Sequence, residues 1–300
     1  MNLRYCPWYD AYLLLAAGGT VWTVLGCGIS PLWALLLWPA YVLGLCLLHI
    51  LVFICMSFFV KRESPERIRP TFVRFFLHQT VMIILKLMRV RVHIEGKEYL
   101  PRDNKRPCLL VSNHLSHFDP MVACMPFFRH GILFISKPEN LTMPMMGPFA
   151  TRAGFIGIDR VDPKAALSAV RRAAERMQQD HCAVGVYPEG TISRDGVLKG
   201  FHDGVFLAAR HANADVVVLT LRGTEKIKHN WYKLGTDVYM RFEGVIPAEE
   251  VSTSRVADVS ARAREMMRPT LIRAGMQAPP TGEIDAPDLT ARQKQMAAGR

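Results

Sequence analysis

The sequence predicts an α/β fold, a largely parallel mixed sheet flanked by helices, preceded by an N-terminal membrane helical hairpin. Three observations carry that prediction. From residue 91 onward short apolar runs alternate with helical patterns, as strands joined by helical crossovers do. Residues 11–60 contain no Asp, Glu, Lys or Arg, so a purely soluble fold is not expected. Half of the 300 residues are hydrophobic and 21% are charged, which excludes disorder as the main state because such a chain buries enough surface to fold.

As one helix the uncharged run would extend about 75 Å at 1.5 Å per residue, against a bilayer core of about 30 Å. Two spans joined by a short turn fit, and Gly26, Gly28, Ser30 and Pro31 supply the turn. The first half, interrupted by Gly18 and Gly19, is the weaker span. The second, from Leu32, is marred only by Pro39 and His49. A cleaved signal peptide is the alternative for the first segment, but a second apolar span follows it at once. Residues 1–60 are therefore assigned to a membrane hairpin.

Residues 61–92 hold eight Lys/Arg against Glu63 and Glu66. By the positive-inside rule this stretch, the N-terminus and the domain that follows lie on the cytoplasmic face, with the turn facing out. Residues 61–90 read as a basic linker and an amphipathic helix over 71–88, whose cationic stripe is Arg74, His78, Lys86 and Arg89. Such a helix either lies in the membrane interface or packs as an ordinary core helix.

The α/β domain is expected over 91–274. Strands are predicted at 91–94, 108–111, 132–136, 155–158, 183–187 and 216–221, with a weaker one at 239–242. Asp162 and Pro163 form a helix start, followed by an apolar stripe of Leu167, Val170, Ala174 and Met177. Further helices are expected over 203–211 and 256–272, and 275–300 as a flexible tail. The seven cysteines include no C-x-x-C pair and read as packing residues.

Three loops carry reactive groups where strands end. Asn113-His114-Leu115-Ser116-His117-Phe118-Asp119-Pro120 follows the strand at 108–111. On one helix His114 and Asp119 lie about 140° apart; with His114 in a loop they can meet. A carboxylate on one imidazole nitrogen fixes the tautomer and leaves the other free as a base. Helix capping by Asp119, or metal ligation by His114, His117 and Asp119, would use the same spacing. Gly154 to Arg160 ends a strand in Asp159-Arg160, suited to clamping phosphate or to a surface ion pair. Tyr187-Pro188-Glu189-Gly190-Thr191-Ile192-Ser193-Arg194 offers close backbone approach and hydroxyl donors, or forms a bare turn.

Together, in this order, the three stretches resemble the lysophospholipid acyltransferase family, the 1-acylglycerol-3-phosphate O-acyltransferases. The resemblance covers about 91–224 and includes Lys137, Glu139, Pro144, Gly147 and Leu221-Arg222-Gly223-Thr224. It implies a membrane enzyme that transfers an acyl group from acyl-CoA or acyl-acyl carrier protein to a lysophospholipid hydroxyl. His114 would be the general base and Asp119 its orienter. Asn113, Lys137, Arg160, Glu189, Gly190 and Thr191 would bind substrate, Arg160 with the Glu189–Thr191 block holding the glycerol phosphate. No metal or prosthetic group is implied. Ile192 stands where the family's third block commonly has Arg, His202 where a following block has Lys, and Val218 where a fourth has Pro. A chain-length ruler is sought among Phe127, Phe128, Met143, Met145 and Met146. The formal charge of +11 calls for an anionic partner. Phospholipid is favoured over nucleic acid because the cations cluster beside the apolar segment and no nucleic-acid motif is present.

Overall fold

The computed structural model describes residues 6–63, 71–100, 106–127, 131–233 and 235–281. In chain order the elements are α1 (Pro7–Gly26), α2 (Ala34–Ser57), α3 (Phe72–Leu87), β1 (Val90–Glu95), β2 (Cys108–Ser112), α4 (Asp119–Ala123), β3 (Ile132–Ser136), α5 (Pro138–Thr142), α6 (Met146–Arg152), β4 (Ile156–Gly157), α7 (Pro163–Asp180), β5 (Ala183–Val186), α8 (Leu207–Ala212), β6 (Asp215–Arg222), β7 (Thr236–Ile246), α9 (Ala248–Thr253) and α10 (Val256–Arg273).

The seven strands form one sheet in the order β1-β7-β6-β2-β5-β3-β4. Only β6 against β7 is antiparallel. The mixed, largely parallel sheet expected from the alternating pattern is therefore present. Central strands are buried on both faces, which is why they read as continuous apolar runs. Leu109, Val111, Val184, Val216 and Val218 pack into a core with Val170, Ala174 and Met177 of α7. Leu110, Val217, Leu219 and Leu221 face the other way, onto Val81 and Leu85 of α3. The sheet is thus sandwiched between two helical layers. β7 is longer than the four residues its sequence suggested, because inward and outward positions alternate along all eleven.

α1 and α2 form the expected pair, and both return to α3. Tyr12 Oη lies 2.9 Å from His49 Nδ1, and His49 Nε2 lies 2.9 Å from Thr80 Oγ1 of α3. Phe53 stacks on Phe149 of α6 at 4.1 Å. Among the described helices one stretch, Pro31–Ser57, is long and apolar enough to cross a membrane, with a mean hydropathy of 2.3. α1 falls short of that mark, because its glycines, threonines and Asp10 dilute the apolar run.

The amphipathic helix also differs from the interfacial alternative. α3 lies between the sheet and the hairpin, with Phe76, Val81, Met82, Ile83 and Leu85 buried. Its cations face protein: Arg74 donates to the Ile132 carbonyl at 3.4 Å, and Lys86 stands 4.3 Å over the Tyr9 ring. Most of the linker, 64–70, lies outside the described residues, as does 282–300 of the expected tail. Residues 275–281 are not loose. Gln277 bridges Val197, Ala278 is buried, and buried Arg264 and neighbouring Arg268 of α10 donate to the carbonyls of Pro279 and Ala278.

Candidate active site

The site forms at the C-terminal ends of adjacent parallel strands, where open α/β sheets hold ligands. β2 runs between β6 and β5, and the chain leaves it at Asn113. The Asn113 side chain donates to the Leu221 carbonyl at 3.0 Å and accepts from the Leu221 N–H at 2.8 Å. Its amide staples the end of β2 to β6 and is buried. Asn113, expected to bind substrate, has its side-chain amide engaged by the Leu221 backbone.

Asp119 is the first residue of α4 and has no exposed surface. Oδ2 accepts from His114 Nδ1 at 2.7 Å, from the Leu115 N–H at 2.6 Å and from the Ser116 N–H at 2.8 Å. Oδ1 accepts from the Thr224 hydroxyl, carried in just beyond β6. Asp119 thus serves the loop before it and does not cap the helix after it. A carboxylate only accepts, so Nδ1 of His114 carries the hydrogen and Nε2 is left with its lone pair. The imidazole stacks on Tyr187 at 4.3 Å, nearly parallel. Orientation is thereby fixed from the edge and from the face.

Glu189 also has no exposed surface. It accepts from the His114 N–H at 2.7 Å, from the Lys199 N–H at 3.0 Å and from the Ser193 hydroxyl. Burial pushes its carboxyl up, while these three donors pull it back. Glu189 thus ties the loop after β2 to the loop after β5 beneath His114. Gly190, beside it, has φ of +72°, and a Cβ there would lie 2.9 Å from His202 Nε2 and 3.2 Å from Arg160 Nη1. Arg160 in turn donates to the Gly190 carbonyl. Burial lowers Arg160 below the usual guanidinium range, with Glu139 partly offsetting it. Burial, then the nearby Arg160 charge, lowers His202.

A cleft of about 1170 Å³ opens over these groups. His114, Lys137, Arg160, Gly190 and Thr191 line it, as do His117, Ile192, Arg194, Lys199 and His202. Apolar side chains, Leu141, Met143, Met146, Phe155 and Leu167 among them, also line it. Of the ruler candidates, Met143 and Met146 face the cleft, Phe127 is in the core behind it, and Phe128 lies outside the described residues. His117 is exposed at the rim, and among the described residues no three His, Cys, Asp or Glu side chains gather as a metal site would need. Ser193, read from the sequence as a hydroxyl donor, donates to Glu189; the stacking of Tyr187 on His114 and the N–H of Lys199 were missed. No local pattern marks either, since Tyr187 meets a ring on the loop after β2 and Lys199 acts through its backbone, ten residues from Glu189.

Residues 91–222 match the family model described as Acyltransferase. A chloroplastic 1-acyl-sn-glycerol-3-phosphate acyltransferase of Arabidopsis thaliana is 34% identical over 137 residues, 46% of this chain and 37% of the relative. A human 1-acyl-sn-glycerol-3-phosphate acyltransferase beta is 28% identical over 202 residues, 65% of this chain and 72% of the relative. The chain spans between 37% and 49% of the length of the plant and algal relatives it matches. The crystal structure of the 1-acyl-sn-glycerophosphate acyltransferase PlsC from Thermotoga maritima superposes with a TM-score of 0.53 at 21% identity, over 67% of this chain and 81% of that one, and so shares the fold. The matched region, which holds the His114–Asp119 pair, is thus similar to the acyltransferase family that includes the 1-acyl-sn-glycerol-3-phosphate acyltransferases.

Proposed function

We propose that this protein is a membrane-bound O-acyltransferase that moves a fatty acyl group from acyl-CoA or acyl-acyl carrier protein to the sn-2 hydroxyl of lysophosphatidic acid, giving phosphatidic acid. The observation that carries this reading is the 2.7 Å contact of His114 Nδ1 with Asp119 at a cleft lined by both cationic and apolar side chains. Lysophosphatidic acid has a part for each, a phosphate head and a single tail.

His114 Nε2 accepts the proton of the acceptor hydroxyl as its oxygen attacks the thioester carbonyl. Asp119 holds the imidazole in the required tautomer and faces the positive charge it acquires. The tetrahedral adduct collapses, the C–S bond breaks, and His114 returns the proton to the thiolate. Arg160, with the Gly190–Thr191 backbone and hydroxyl, holds the phosphate, and Lys137 and Arg194 add charge at the rim. Arg194 takes up the role left open by Ile192, two residues away in the same cleft. The hairpin, with Leu36 63% and Leu47 54% exposed, anchors the enzyme in the bilayer that supplies the acceptor, its domain on the cytoplasmic face.

The test is product analysis by mass spectrometry after incubating the purified protein with lysophosphatidic acid and each donor. Phosphatidic acid forms with the native chain. His114→Ala and Asp119→Asn each lower kcat by roughly a thousandfold, the usual size of a lost general base. Near-normal turnover in His114→Ala would overturn the mechanism. Chelator-sensitive release of the headgroup or the acyl chain would instead mark a metal-dependent hydrolase. Transfer to another lysophospholipid in competition would reassign the acceptor.

A further inference from the structure

We propose that the loop after β6, residues 225–233, is a second lipid contact that lays lysines and aromatic rings on an anionic phospholipid surface beside the base of the hairpin. The inference rests on the membrane reading above but concerns a segment 165 residues beyond the hairpin, outside every motif of the reaction.

The loop has a composition suited to a lipid headgroup layer. Lys226, Lys228 and Lys233 are exposed, against a single acid, Glu225. Trp231 is 63% and Tyr232 64% exposed, and the two rings meet edge to face at 5.9 Å. Trp and Tyr collect where apolar and wet environments meet, and lysines near an anionic leaflet are attracted to it. Ile227, fully buried, anchors the loop to the core, so the exposed residues are presented on a fixed turn. The neighbouring cations Arg91 and His93 are spent on Asp237, at 2.6 and 2.8 Å, and add little to this surface.

Position joins the loop to the hairpin. Arg89, just past α3, donates to the Trp231 carbonyl at 3.1 Å. One turn earlier, Lys86 stands over the ring of Tyr9 at the start of α1. The aromatic tip is thus tied through the end of α3 to the point where the chain enters the apolar helix pair. At its other end the loop begins at Thr224, whose hydroxyl is bonded to Asp119. A loop seated on lipid at one end and on the carboxylate of the site at the other places His114 close to the surface from which a single-tailed lipid enters.

The full chain, purified and reconstituted, is compared by hydrogen-exchange mass spectrometry in nanodiscs of phosphatidylcholine with phosphatidylglycerol and in discs of phosphatidylcholine alone. Amides of 225–233 exchange more slowly in the anionic discs, by about fivefold for each lysine engaged. The variant Lys226→Gln/Lys228→Gln/Lys233→Gln loses that difference while keeping its native thermal midpoint. Equal exchange in the two discs, with the chain still co-eluting with them, overturns the lipid contact and leaves the hairpin reading standing. A chain that leaves the discs overturns both. Protection that appears only on adding an acidic acyl carrier protein reassigns the loop to a protein partner and overturns the proposal.

Discussion

At the residue scale the site is built from groups that hold other groups. Asp119 holds His114; Glu189 and Tyr187 hold the loop and ring of His114; Thr224 holds Asp119. Arg160, by contrast, lines the cleft, and its removal should act on binding. Arg160→Ala is expected to raise the KM for lysophosphatidic acid at least roughly tenfold with a smaller change in kcat, as loss of a phosphate ligand does; an unchanged KM in steady-state assays removes it from the phosphate site. His78, inside α3, behaves differently. Burial pushes it down from 6.5 to about 4. The unfolded chain therefore binds a proton that the folded chain refuses between those values, and stability falls as pH drops through that window. The loss should total about 3 kcal/mol at 1.36 kcal/mol per unit. Thermal midpoints measured from pH 7 to pH 4 check it: His78→Phe should flatten the slope attributed to this residue.

At the element scale the C-terminal segment and α10 support the loop under the site. Arg264, 1% exposed, donates through Nε to the Lys199 carbonyl at 3.1 Å, through Nη2 to Leu198 at 2.9 Å and through Nη1 to Pro279 at 2.7 Å. The Lys199 N–H in turn donates to Glu189. Removing the guanidinium leaves three carbonyls without their charged donor, that of buried Leu198 among them. Arg264→Met should cost about 3 kcal/mol and lower the midpoint of thermal unfolding by about 6–12 °C. Calorimetry checks the expectation, and a variant as stable as the native chain refutes it.

At the scale of the whole molecule the hairpin and the domain share one base. Tyr12 is tied to His49 of α2 and through it to Thr80 of α3, so about 14 residues of α1 project beyond it, roughly 21 Å at 1.5 Å per residue. That is shorter than a bilayer core of about 30 Å. The turn that carries Cys27 is therefore expected to end inside the bilayer, not beyond it. In sealed vesicles Cys27 should resist a membrane-impermeant maleimide from either side and react once detergent is added. Labelling from the outer side alone would mean that the helices cross.

The alternation of strands and helices, the apolar N-terminal segment and the possible meeting of His114 with Asp119 were legible in the chain, because periodicity and local spacing act over a few residues. Helix starts were legible for the same reason: Asp162 caps α7 through its own side chain, at 2.8 Å from the Lys164 N–H. The folded sheet alone settled which polar residues line the cleft and which are engaged by the protein. Sheet order brings β5 and β6 against β2, so Glu189 reaches His114 across 75 residues, Thr224 reaches Asp119 across 105 and Leu221 meets Asn113 across 108. A motif lists the residue types a site needs, whereas a buried polar side chain takes the role of whichever unsatisfied donor or acceptor the folded sheet sets beside it.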